Sequence, residues 1–167
     1  MLFRSEAYKV KLVLNKWGNI KFEYSKIEQP LNNIKIIISN KQINSKNNFQ
    51  YFKTTNRSLY NNELKKCKAK GFDETIFLNE SGYLTEGTYT NLFISVNNQL
   101  ITPPISAGIL NGTYRKELIK KDNKIKEQNI SIDDIINSER IFICNSVRKK
   151  ISVNEVWYNN SCIWKQF

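Results

Sequence analysis

Four short stretches of this chain carry side chains that could do chemistry, and they follow one another at workable spacings. In Tyr51-Phe52-Lys53-Thr54-Thr55-Asn56-Arg57 the amine of Lys53 lies between an aromatic residue and small polar ones, just ahead of a helical pattern. A partly desolvated pocket there would favour the neutral amine, a nucleophile toward an aldehyde. In Thr85-Glu86-Gly87-Thr88-Tyr89-Thr90-Asn91 the carboxylate of Glu86 falls in a turn-like stretch between two strand patterns. A carboxylate beside a heteroaromatic nitrogen keeps that nitrogen protonated and makes the ring an electron sink. Asn111-Gly112-Thr113-Tyr114 reads as the opening of a helix, where unpaired N–H groups and the helix dipole favour a phosphate. After a strand pattern, Asn145-Ser146 could add a hydroxyl and an amide to the same phosphate, and Arg148 could pair with a carboxylate in a bidentate fork.

Each motif alone has a plainer reading. Lys53 is one of 26 Lys and Arg residues, and Glu86 beside Gly87 could be a solvated loop residue. Asn111 could cap an ordinary helix start. Arg148 could be a surface arginine next to Lys149 and Lys150. Order and spacing together favour the chemical reading over four coincidences.

Composition narrows the options. The chain has 167 residues, 40% of them hydrophobic and 12% aromatic, enough for one full domain with a core and too few for two large ones. It has no histidine, and its three cysteines, Cys67, Cys144 and Cys162, lie far apart. Zinc sets of the Cys/His type and Ser-His or Cys-His catalysis are therefore excluded, and the cysteines read as small buried hydrophobes. The net charge of +11 is spread along the chain without a basic stripe interleaved with aromatics, so nucleic-acid binding is not expected. It reads as a solvated surface that would also suit an anionic cofactor and substrate. No apolar run reaches membrane-spanning length and the start lacks a signal-peptide pattern, so no membrane partner and a cytoplasmic location are expected.

The elements that must position these residues can be read from periodicity. Alternation over 8–14 and 20–24 around Asn15-Lys16-Trp17-Gly18-Asn19 predicts a β-hairpin, followed by a linker at 28–33. A β-branched strand is expected at 34–39 and a mobile polar loop at 40–48. Leu59, Tyr60, Leu64 and Cys67 share a helical face that ends at Gly71. Strands are expected at 75–78, 91–96 and 99–102, the last two joined by an Asn97-Asn98 turn and closed off by Pro103-Pro104. A helix is expected over 114–128, and a short one, opened by a capping box at Ser131, over 131–138. Strands at 140–145, 153–158 and 161–164 finish the chain. The expectation is an α+β fold with a mixed, mainly antiparallel sheet and interspersed helices.

From Lys53 to Val153, and weakly back to Tyr8, this order resembles the class IV aminotransferases, pyridoxal-phosphate enzymes of fold type IV. The most specific part is Gly71-Phe72-Asp73-Glu74-Thr75-Ile76-Phe77-Leu78-Asn79, then Gly82, Leu84-Thr85-Glu86-Gly87-Thr88 and Asn91-Leu92-Phe93. The resemblance implies pyridoxal 5′-phosphate as cofactor, with Lys53 as its Schiff-base lysine and Glu86 as partner of the pyridine nitrogen. It places Thr113 and Tyr114 at the phosphate through their amides, Asn145 and Ser146 on its other side, and Leu110 against the ring. Arg148 would meet the substrate. It also implies a homodimer. The Asn-Ser-Val-Arg run at 145–148 is more similar to 4-amino-4-deoxychorismate lyases than to branched-chain or D-amino-acid aminotransferases.

Family members normally carry a small N-terminal domain, with a His-containing motif, before the strand that residues 8–14 resemble. Residues 1–28 are therefore expected to be a hairpin remnant of that small domain, and 29–167 the cofactor-binding large domain. The resulting expectation is a lyase acting on a small anionic amine in folate synthesis. An aminotransferase, or a shortened non-catalytic member that binds the cofactor weakly or not at all, are the alternatives.

Overall fold

The computed structural model describes residues 7–27 and 34–166. The chain divides into two compact units, Met1–Pro30 and Leu31–Phe167. The linker expected at 28–33 lies outside the described residues.

In the first unit β1 (Tyr8–Leu14) and β2 (Ile20–Lys26) pair antiparallel, with Leu12 opposite Phe22 and Leu14 opposite Ile20. Asn15 builds the turn by accepting from the amides of Trp17 and Asn19, and Gly18 takes the left-handed conformation, φ 85°.

The second unit is organised by strands whose pairings return on themselves. β3 (Ile34–Ile43) runs parallel to both β4 (Glu74–Asn79) and β10 (Lys149–Tyr158). From β4 the antiparallel pairings continue through β5 (Leu84–Gly87), β6 (Asn91–Val96) and β9 (Arg140–Asn145) back to the start of β10. β7 (Gln99–Thr102) and β8 (Lys126–Glu127) extend one side, and β11 (Ser161–Lys165) the other. Closing the sheet removes most of its free edges. Its interior is filled by Ile34, Ile36, Ile38, Ile76, Leu92, Ile94, Ile141, Ile143 and Val153, all buried.

The helices lie over this ring. Tyr60 of α1 (Ser58–Ala69) packs on Phe77 and Ile43, its ring edge-on to Phe77 at 4.9 Å. α1 ends where expected, at Gly71 with φ 81°. Tyr114 and Leu118 of α2 (Thr113–Lys121) pack on Phe93 and Cys144. α3 (Ile132–Ile136) begins with the expected capping box: Ser131 Oγ accepts from the Asp134 amide at 3.1 Å, and Asp134 accepts from the Ser131 amide at 2.8 Å.

Mixed, mainly antiparallel pairing with interspersed helices is as expected, and several boundaries differ. α2 stops at Lys121 rather than running to 128, because Asp122 leaves helical geometry and the chain turns into β8. The polar stretch at 40–43 belongs to β3, and a 3-10 turn forms at Asn48–Tyr51. Glu86 belongs to a strand, β5, that turn-like composition concealed. Cys67 and Cys144 are buried as expected, whereas Cys162 is exposed on β11, its thiol directed at the Trp164 carbonyl.

Candidate functional site

Glu86 is the centre of the site. It is only 7% exposed, and both carboxyl oxygens are engaged: Oε1 lies 3.2 Å from the Tyr60 hydroxyl, and Oε2 accepts from the Leu110 amide at 3.0 Å. Burial pushes its pKa up to about 8; the Leu110 and Tyr60 hydrogen bonds and the charges of Arg57 and Lys53 pull the other way without offsetting it. The carboxyl forms part of the wall of a cavity of about 210 Å³ that Phe52, Thr54, Arg57, Tyr60 and Leu110 also line.

Lys53 stands between two of those lining residues, near enough to Glu86 for its charge to act on the carboxyl. Its side chain is exposed, not partly desolvated as the sequence suggests, because neighbouring Phe52 is itself 65% exposed and covers little. Arg57 reaches the carbonyl of Thr88 and lies over the Tyr60 ring, 4.8 Å from its centroid. The start of α1 is thereby tied to the turn just after Glu86. A second buried acid, Glu74, holds the other side of that turn. It accepts from the Thr88 hydroxyl at 2.6 Å, the Thr88 amide at 3.1 Å and the Thr90 hydroxyl at 3.2 Å, and burial raises its pKa.

Asn91 joins Glu86 to the anion-binding segments. It pairs with Glu86 across β5 and β6 and with Cys144, the residue before Asn145, across β6 and β9. Its carboxamide donates to the Leu110 carbonyl at 2.9 Å. Three residues beyond Leu110, α2 begins at Thr113. Its N-cap is Gly112, not the Asn111 of the plainer reading, and it provides no side-chain cap, so the amides of Thr113 and Tyr114 are available to an incoming oxyanion. Asn111 instead accepts from Arg115, whose buried guanidinium also donates to the Pro103 carbonyl at 2.8 Å and to Glu127 at 2.5 Å. That clamp fixes the whole 103–111 loop against α2.

The turn from β9 to β10 approaches the same helix start, where Lys149 lies 4.9 Å over the Tyr114 ring. Asn145 shapes this turn: its carboxamide oxygen accepts from the amides of Val147 and Arg148 at 3.0 and 2.8 Å, which leaves that oxygen to the turn and not to a ligand. Ser146 is exposed at its tip. Arg148 is half-buried, its charge acts on the phenol of Tyr89, and its buried Nη1 has no hydrogen-bond partner among the described residues. A desolvated guanidinium nitrogen without an acceptor is costly, and a carboxylate would satisfy it.

The predicted residues thus gather around one carboxyl and one helix start. Tyr60, Arg57, Glu74, Asn91 and Arg115, which hold them, were not singled out from the sequence. Tyr60 shows there only as a core position on the helical face of α1; Arg57, Glu74 and Asn91 lie within the motifs, and Arg115 directly follows one, without any signal of a positioning role. The chemistry of these groups suits a pyridine ring with an anionic substituent: a buried acid on the cavity wall, an amine next to residues that line it, and uncapped amides at the start of α2.

Comparison with known proteins agrees. The family model described as amino-transferase class IV matches residues 5–156. A Schizosaccharomyces pombe protein named "Putative aminodeoxychorismate lyase" is 30% identical over 151 residues, 84% of this chain and 64% of that one. The mitochondrial branched-chain amino acid aminotransferase 1 of Humulus lupulus is 31% identical over 103 residues, 58% of this chain and 26% of that one. The chain thus spans between about a quarter and two thirds of these curated relatives. Among solved structures, a "Putative amino-acid aminotransferase" from Mesorhizobium loti superposes with a TM-score of 0.85 at 27% identity, covering 93% of this chain and 75% of that one.

Proposed function

The chain belongs to the class IV aminotransferase family of pyridoxal-phosphate enzymes, and from that premise we propose that it binds pyridoxal 5′-phosphate over Glu86 and converts 4-amino-4-deoxychorismate to 4-aminobenzoate and pyruvate. The observation that carries the cofactor reading is the buried Glu86 carboxyl beside a cavity, with a pKa near 8. A buried carboxylate is stabilised by a cationic N–H partner, and a ring nitrogen entering the cavity provides one.

When bound, the cofactor supplies a protonated ring that takes up the electron pair left by a departing proton. The residues do the rest. Lys53 Nζ is the amine that would hold the cofactor at its aldehyde end and that an incoming substrate amine would free. Freed, Nζ takes the proton from the carbon that bears the amine. Glu86 would face the ring nitrogen and keep it protonated. The amides of Thr113 and Tyr114, with Ser146, would hold the phosphate, and Leu110 would pack on the ring. Arg148 receives a carboxylate of the dianionic substrate. Departure of the enolpyruvyl group as pyruvate leaves an aromatic product, which drives the reaction.

The lyase reading is supported by the Asn145-Ser146-Val147-Arg148 run and by the fission-yeast relative, which aligns with most of this chain. A second reading, amino-group transfer to a keto acid, uses the same Lys53 and is supported by the hop relative. Mixing the purified chain with pyridoxal phosphate should give a visible absorbance band that borohydride fixes to Lys53 and that Lys53→Ala lacks. An identical band in Lys53→Ala would sink the assignment of Lys53, and no band at all would favour the non-catalytic reading. Pyruvate formed from 4-amino-4-deoxychorismate without an added keto acid identifies the lyase; strict dependence on a keto acid identifies the transferase.

A further inference from the structure

The Tyr60 hydroxyl has two acceptors and one proton. It lies 2.7 Å from Gln50 Oε1 and 3.2 Å from Glu86 Oε1. A hydroxyl donates once, and the shorter contact takes the proton. Toward Glu86 the tyrosine then presents a lone pair. Two oxygens facing each other at that distance need a proton between them, and Glu86 must supply it as the neutral acid. The alternative arrangement is equally well formed. If the Gln50 carboxamide turns over, its Nε2–H donates to the Tyr60 oxygen, and the Tyr60 proton is released to a Glu86 carboxylate.

We propose that Gln50 and Tyr60 form a proton-ordering pair that sets whether Glu86 is held as the neutral acid or as the carboxylate. With the Tyr60 proton on Gln50, Glu86–H donates to Tyr60; with Gln50 turned over, Tyr60 donates to a Glu86 carboxylate. Tyr60 is a positioning residue, fixed by its ring contact with Phe77 and by Arg57 lying over it. Gln50 sits in the 3-10 turn Asn48–Tyr51, three residues before Lys53, so one short segment carries both the amine and the far end of the relay. The other charged groups acting on Glu86 are Arg57, the N-cap of α1, and Lys53 from the loop; the 103–111 loop contributes only the Leu110 amide. Both cations favour the carboxylate, which makes the direction of the Tyr60 proton decisive.

The consequence for a pyridine ligand rests on the proposed function. As the ring nitrogen arrives, the carboxyl O–H bond breaks and the N–H bond forms. The resulting carboxylate accepts from Tyr60, whose proton leaves Gln50, and Gln50 turns to donate in its place. The acid thus brings its own proton to the ring, and no water has to enter the cavity to supply one.

The experiment uses the cofactor-free chain, so it does not depend on the cofactor reading. The carbonyl stretch of protonated Glu86 is followed by infrared spectroscopy as pH is varied, with Glu86→Gln as the subtraction that removes the signal of Glu74. Gln50→Leu removes the acceptor, frees the Tyr60 proton for Glu86 and should lower the midpoint by about one pH unit, tenfold in proton affinity. Gln50→Glu holds the Tyr60 proton more tightly and should raise it. Gln50→Leu in a Tyr60→Phe background should do nothing. A Gln50→Leu midpoint that stays put or rises, or an undiminished effect in the Tyr60→Phe background, overturns the proposal. Loss of the borohydride-fixed band with these midpoints intact would instead count against the cofactor reading alone.

Discussion

The carboxamide oxygen of Asn91 occupies the space a side chain on residue 112 would need: a β-carbon built on Gly112 would come within 2.2 Å of it. Gly112 has ordinary extended backbone angles, φ −60° and ψ 142°, so this glycine is required by close approach and not by conformation. The same Asn91 carboxamide holds the Leu110 carbonyl, so the helix start and the Glu86 amide donor are set by one side chain.

Gly112→Ala should therefore displace Asn91 and cost about 1–3 kcal/mol of stability, with weaker pyridoxal phosphate binding. Because the clash is with one side chain, Asn91→Ala should relieve part of it. Denaturant melts of the two single variants and the double variant should give a coupling energy of at least about 0.5 kcal/mol. Simple additivity would mean that Asn91 does not set the position of Gly112.

Elements whose cause is local were legible in the sequence. Asn97 and Asn98 adopt φ of 51° and 59°, as a two-residue hairpin turn demands and asparagine tolerates. Ser131 and Asp134 form their capping box three residues apart. Elements whose cause is distant were not. β5 reads as a turn because Thr85, Glu86 and Gly87 suit loops, and they are strand residues only because β4 and β6 flank them. Tyr60 advertises its ring through helical periodicity, but its hydroxyl meets Glu86 26 residues away, and no pattern along the chain reveals that. The extra helical turns expected after Lys121 fail for a similar reason: β8 finds its partner in β7, far back in sequence.

Arg115 is the largest fully buried side chain among the described residues, and it spans Pro103, Asn111 and Glu127. Arg115→Met should cost about 1–3 kcal/mol because it strands the Pro103 carbonyl and the Asn111 side chain, while the half-exposed Glu127 can turn to water. Arg115→Lys should recover little, since a single ammonium cannot reproduce a planar fork. Thermal melts would check both. Full stability of the lysine variant would show that charge, not geometry, holds the loop.

Arg148 should matter to substrate and not to cofactor. Its buried Nη1 has no partner among the described residues, so a carboxylate would gain a charge-assisted hydrogen bond there without displacing another. In the proposed lyase, Arg148→Met should raise KM by roughly tenfold or more, from the loss of about 1.5–3 kcal/mol. The absorbance of the chain mixed with pyridoxal phosphate should be unaltered. A changed spectrum with unchanged KM would move Arg148 from the substrate to the phosphate.

Glu86 should make the folded chain less stable as pH rises. Its carboxyl titrates near 8 when folded against an ordinary 4.5, so the folded state holds the proton more tightly than the unfolded one. The stability this proton linkage contributes is full below about pH 4.5 and is lost as pH climbs through about 8. Glu86→Gln keeps the shape of the group without titrating, and Glu74, raised in the same direction by burial, is present in both proteins and cancels. Denaturant melts from about pH 5 to about pH 9 should therefore show wild type losing stability relative to Glu86→Gln, by a few kcal/mol across the range. Saturating pyridoxal phosphate should flatten the trend, because a ring N–H stabilises the carboxylate that burial penalises. Parallel profiles without cofactor would mean that water reaches Glu86, and the buried acid would lose its claim to be the floor of the site.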